Sequence, residues 1–131
     1  MKKLITLLFL LISFSIYSQN YVDFKATDVM VTINNETTTQ EVDLNIRVYA
    51  DKNRIVVYTE PPQIIDYEVD RKYTDDDGYG WIEGFATDTK YKKIYLMTGL
   101  HVERQHLIVI ISYNNLTYGY SAYIDNRLSA F

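Results

Sequence analysis

The segment Val42-Asp43-Leu44-Asn45-Ile46-Arg47-Val48-Tyr49 alternates apolar and polar residues, and this alternation decides the fold class. Side chains of an extended chain point to opposite faces with a period of two. Val42, Leu44, Ile46 and Val48 therefore share one face, and Asp43, Asn45, Arg47 and Tyr49 the other. Asp51-Lys52-Asn53 follows, then a second β-rich run from Arg54 to Thr59. The pattern predicts a hairpin with a three-residue loop, in which Asn53 takes the positive φ that asparagine tolerates. A lone hairpin is marginal in water, so its apolar face calls for further strands.

Working outward, the chain supplies them. Upstream, Val22, Phe24 and Ala26 alternate with Asp23 and Lys25, and Val29, Val31 and Ile33 resume after a phase shift at Thr27-Asp28. That shift predicts a bulge inside one long strand. Asn34 to Gln40, polar and with three consecutive threonines, reads as a loop. Downstream, Glu60-Pro61-Pro62-Gln63 interrupts the ladder, because proline has no N–H to donate. Ile65, Tyr67 and Val69 alternate with acids, and Arg71 to Tyr79 reads as a charged turn centred on Asp75-Asp76-Asp77-Gly78. Trp81 to Ala86 and Lys92 to Met97 read as strands. Thr98 to Gln105 reads as an irregular connection or one helical turn. The apolar run Leu107 to Ile111 predicts a central strand buried on both faces. Asn114-Asn115 is a two-residue turn before the last strand, Leu116 to Tyr123. About eight short strands without a helical period predict an all-β antiparallel meander, a small barrel or a sandwich. A partly closed barrel is preferred, since the Cys–Trp–Cys framework of immunoglobulin domains is missing.

Met1-Lys2-Lys3 followed by the apolar run Leu4 to Ile16 has the form of a secretory signal peptide, residues 1–18. It is shorter than the roughly 20 apolar residues a membrane helix needs. The expected mature chain is a single β-domain, residues 19–131, secreted or periplasmic, with no membrane insertion after cleavage. Cysteine is absent, so neither a disulfide nor a lipid-modified cysteine contributes. Loss of Lys2 and Lys3 lowers the basic count from 13 to 11 against 17 acids, a net charge of −6. Nucleic-acid binders need the opposite balance, so no nucleic-acid partner is expected.

Phe24-Lys25-Ala26-Thr27, the strand Ile55-Val56-Val57-Tyr58, the Asp75–Gly78 turn and Ser112-Tyr113-Asn114 before an aromatic last strand carry a resemblance. The chain resembles small secreted all-β proteins of didermal bacteria that have no assigned function, and in outline the lipocalin-like (calycin) barrels. The resemblance implies a meander architecture and transfers no site. The lipocalin Gly-X-Trp of the first strand is not present, and Trp81 sits mid-chain.

Among chemical motifs, Asp75-Asp76-Asp77 has carboxylates for a hard cation but lacks the alternating acids and distal glutamate of an EF-hand. A solvated turn is expected there. His101, Glu103 and His106 are zinc-ligand types, but a strand spacing of five places the two histidines on opposite faces. Ser112 and Ser121 have no Gly-X-Ser-X-Gly context. No catalytic residue, metal site or cofactor is therefore expected. The distinctive feature is the aromatic load: twelve tyrosines and one tryptophan in the mature chain. Tyrosine combines apolar area with a hydroxyl and suits glycan or protein contacts, though it is also a good strand residue. Trp81, Tyr113, Tyr118 and Tyr120 are the candidate ligand-binding residues. The leading expectation is a non-enzymatic domain that binds a small ligand, glycan or partner protein through an aromatic face or barrel mouth. The alternative is a structural or protein-interaction domain without a small-molecule site.

Overall fold

A computed structural model describes residues 21–88, 90 and 93–124. The signal peptide expected in residues 1–18 lies outside the described residues, as does the tail beyond Ile124. Among these described residues nine strands follow one another: β1 (Tyr21–Ile33), β2 (Glu36–Tyr49), β3 (Arg54–Val57), β4 (Gln63–Tyr67), β5 (Arg71–Thr74), β6 (Gly80–Thr87), β7 (Lys93–His101), β8 (His106–Ser112) and β9 (Leu116–Ile124). All pairings are antiparallel, and β1–β9 and β4–β6 close the ring. The result is a closed up-and-down barrel of eight staves, with the lipocalin-like outline.

β4 and β5 are two halves of one stave along β6. Between them Glu68 N–H donates to the Phe85 carbonyl (3.0 Å) and Asp70 N–H to the Glu83 carbonyl (2.9 Å). The chain kinks there because it passes directly over Gly84, where a Cβ would lie 1.8 Å from the Glu68 carbonyl oxygen. Only a residue without Cβ allows that approach.

Apolar residues of the alternating runs point inward. Every stave contributes to one core, from Phe24 and Ile46 through Ile65 and Ala86 to Leu96 and Val109. Ile46, Ile55, Ile65, Val109 and Ile111 are fully buried. The bulge expected at Thr27-Asp28 is present as a register shift between Ala26 and Asp28 in both neighbouring ladders. There β9 advances from Ala122 to Tyr120 while β1 goes from Ala26 to Val29 and β2 from Leu44 to Gln40. Each successive strand is one residue longer through this stretch, which bends the sheet locally.

Several local expectations are corrected. Thr37 to Gln40 belongs to β2, and the turn before it is Asn34-Asn35, both at positive φ (50° and 69°). Two such residues make the type I′ turn that suits hairpin twist. The positive-φ residues of the described chain do not include Asn53. Arg71–Thr74 is strand, not turn, and Thr98–His101 completes β7 before a tight turn at 102–105. Leu107–Ile111 is buried on one face only. Leu107, Val109 and Ile111 point inward, while Ile108 and Ile110 lie half-covered on the outer wall. Ile110 is apolar there because its row neighbours are Met97 and Gly119, with Met30 beyond. At Gly119 an added Cβ would meet its nearest atoms at an ordinary 4.0 Å.

Candidate functional site

In an up-and-down barrel successive turns alternate between the two ends. Asn34-Asn35, the Tyr58–Pro62 connection, the turn around Asp88 and the Asn114-Asn115 turn share one end, here the mouth. A cleft of about 560 Å³ opens there, within the range of small-molecule sites. Tyr118 and Tyr120 stand in its wall. They oppose Ile111 and Val109 in the β8–β9 ladder and Val31 and Val29 in the β1–β9 ladder, so both face the interior. Tyr120 is buried and forms the deeper surface, while Tyr118 is half-buried above it. Pro61, Pro62, Asn115 and Leu116 line the rim.

Tyr113 spans this mouth. Its hydroxyl accepts from Gln63 Nε2 at 2.6 Å and donates to Asp88 Oδ2 at 3.1 Å. One phenol thereby ties β4, the β6–β7 turn and the β8–β9 turn together. Burial, reinforced by the hydrogen bond to Asp88, pushes its pKa up to about 12. The ring packs edge-on against Tyr118, with centroids 6.4 Å apart. The cleft thus pairs aromatic surface with an amide, carboxylates at Asp88 and Glu60, and the ammonium of Lys90. Rings offer flat apolar area, and the polar groups offer both donors and acceptors.

Of the four candidate residues, the structure brings Tyr113, Tyr118 and Tyr120 into this one cleft and leaves Trp81 out. Trp81 is the second residue of β6, while Asp88 beyond its far end reaches the mouth, about 23 Å along the strand. Trp81 lies on the outer wall, its ring seated over Gly99, where a Cβ would meet the ring at 2.7 Å. Its indole N–H donates to Asp75 Oδ2 at 2.8 Å. The other oxygen of Asp75 accepts from the N–H groups of Asp77 and Tyr79. These bonds, led by the one from Trp81, hold the Asp75 carboxyl below the usual aspartate range. Asp75 is therefore the organiser of its own turn. The side chains that matter at the mouth and that sequence reasoning passed over are Gln63 and Asp88. Both sit in polar stretches that look like plain turns.

A second polar group lies toward the opposite end, on the outer wall. His101 and His106 are cross-strand partners, not residues on opposite faces, because the 102–105 turn folds the chain back between them. His106 Nδ1 lies 2.7 Å from the Tyr79 hydroxyl and Nε2 2.6 Å from Ser121 Oγ. Tyr123 stacks on the imidazole at 4.6 Å. Burial, with smaller contributions from Arg104 and His101, pushes the His106 pKa down. A serine, a histidine and an orienting hydroxyl in line have the connectivity of an acyl-transfer relay. Ser121, however, sits mid-strand with Asp28 and Ile108 as ladder partners on either side. Its backbone N–H is committed to the sheet and is not available as an oxyanion donor. The two bonds tie Tyr79, His106 of β8 and Ser121 of β9 together. Among the described residues no group of three or more His, Cys, Asp or Glu side chains could hold a metal ion. No family model, curated protein or solved structure matches the chain.

Proposed function

We propose that this protein is a non-enzymatic binding domain, secreted or periplasmic, that takes a small polar ligand or the end of a glycan in the mouth cleft. The observation that carries the reading is the Tyr113 bridge between Gln63 and Asp88, which presents fixed polar groups beside the Tyr118 and Tyr120 rings. A sugar ring has an apolar C–H face to lie on tyrosine and hydroxyls to exchange hydrogen bonds with amide and carboxylate. The buried apolar cluster below the cleft supports a ligand held at the mouth. The leader-like Met1–Ile16 supports export. The apolar-in, polar-out walls, with Asp23, Arg47, Arg54 and Asp66 outside, are the reverse of a membrane barrel and support a soluble domain. Excess negative charge supports the absence of a nucleic-acid partner.

Saturation-transfer NMR with a panel of mono- and oligosaccharides tests the proposal. Binding is expected to perturb Tyr113 and Tyr118 and to weaken at least about tenfold in Tyr118→Ala, the loss of one stacked ring. The parent fold should survive that change. A blank panel, or binding untouched by Tyr118→Ala, refutes it.

A further inference from the structure

A closed barrel has no strand edges, yet this one keeps a long edge bare. The β2–β3 ladder covers only Ile46 to Val48, with one more bond from Tyr58 N–H to the Asn45 carbonyl at 2.9 Å. From Glu36 to Leu44, among the described residues, β1 lies on one side of β2 and no strand lies on the other. Nine residues of strand span about 30 Å. All nine are exposed except Val42 and Leu44, which are half-covered.

The ladder geometry says which groups face outward. The Asn34-Asn35 turn makes Ile33 and Glu36 a hydrogen-bonded pair, so Glu36, Thr38 and Gln40 direct their backbone groups to β1. Thr37, Thr39, Glu41 and Asp43 direct theirs to the open side. The outward Asn45 carbonyl keeps the same parity. Native edges of this length are ordinarily blunted by lysine, proline or inward-pointing charge. Glu36 to Leu44 holds neither lysine nor proline; its charged residues are the acids Glu36, Glu41 and Asp43, and Thr37-Thr38-Thr39 favours extended chain although it covers no core.

Charge selects the occupant. Glu36, Glu41 and Asp43 lie on β2, and Asp28 stands opposite Glu41 on β1. One lysine offsets them: Lys25, 2.6 Å from Asp43 with both side chains exposed. Asp28, Glu41 and Asp43 share the outer face with Thr37 and Thr39. A second copy of the chain docking edge to edge would double these carboxylates across one seam, and like charges placed opposite each other oppose association. We propose that the free edge of β2 is the docking site for an extended, lysine- or arginine-rich segment of a partner protein, which joins the sheet as one more strand. Main-chain bonds supply the affinity, and cations on alternate residues meet the acids of the outer face.

The probe is the blocked peptide KVKTKVKTK, whose lysines all fall on one face of a strand. Amide exchange of the purified protein is followed with and without it. Protection is expected at Thr37, Thr39, Glu41 and Asp43 and not at the residues between, and it should weaken as salt is raised. Thr39→Pro removes an outward N–H while leaving the bonds to β1, and should weaken the peptide at least about tenfold, the worth of one net backbone hydrogen bond or more. Alternate N-methylation of the peptide should abolish binding to the unaltered protein, which settles the question should Thr39→Pro not fold. Unchanged exchange at the four amides, or equal binding by the N-methylated peptide, overturns the proposal. So does protection that grows with protein concentration alone, which would assign the edge to a second copy.

Discussion

Replacing Gly84 with alanine tests the account of barrel closure most directly. The added Cβ would lie 1.8 Å from the Glu68 carbonyl oxygen, 2.9 Å from its carbon and 3.3 Å from the Asp70 nitrogen. All three are backbone atoms, so no side chain can swing aside. The kink between β4 and β5 has to lift from β6. That strains or breaks the Glu68-to-Phe85 and Asp70-to-Glu83 hydrogen bonds, worth about 1 kcal/mol each net. Overpacking of a filled site adds about 1–3 kcal/mol. The expected loss is about 3–5 kcal/mol, against roughly 5–15 kcal/mol for a whole domain. Urea unfolding measures it, and amide exchange at Glu68 and Asp70 locates it. Gly119→Ala is the control, since its Cβ meets the Ile110 and Met30 side chains at an ordinary 4.0 Å, and it should be neutral or slightly stabilising. A Gly84→Ala protein within 1 kcal/mol of the parent, with exchange at Glu68 and Asp70 unchanged, would refute the reasoning.

Val109 is fully buried in β8, so Val109→Asp should place an unpaired carboxylate in the core and prevent stable folding; a cooperative thermal transition in that variant would contradict the core assignment. The His106 pKa is lowered in the fold, so the unfolded chain binds the proton more tightly. Stability should fall as pH drops below about 6.5, the ordinary histidine value, and His106→Gln should reduce that slope in melts at pH 7.5 and 5. Tyr113 should be among the last phenols to ionise, near 12. Ultraviolet titration should show this high-pH step missing in Tyr113→Phe, and stability should decline above about pH 10, where unfolded tyrosine ionises.

Period two was enough to place most staves, because a half-buried strand writes its two faces into alternate residues. The readings that failed did so where covering came from elsewhere in the chain. Ile108 and Ile110 are apolar without being core, since they sit among Gly99, Met97 and Gly119 on the outer wall. Thr37 to Thr39 looked like loop because an exposed edge strand buries nothing and so shows no alternation. The His101–His106 pairing depends on a reversal between them that linear spacing does not encode. At the mouth, Tyr118 and Tyr120 were legible as one face of a strand. Gln63 and Asp88 were not, because their partner Tyr113 is 50 and 25 residues away in sequence.

The cleft and the bare edge trace to one cause, the unequal length of the staves. β1 and β2 run 13 and 14 residues, while β3 and β4 have 4 and 5. Pro61 and Pro62 lie between the two short strands, and proline cannot extend a ladder on its donor side. β3 therefore leaves β2 at Asn45, and the wall is notched above it. On one side of the notch the outward groups of Thr37 to Asp43 have no neighbouring strand. On the other, the Thr59–Gln63 segment, Asp88 and Tyr118 line the cleft, with Tyr113 hydrogen-bonded to Gln63 and Asp88 across it. A longer β3 would have covered the edge and narrowed the mouth together, so the proline pair shapes both surfaces by stopping one strand early.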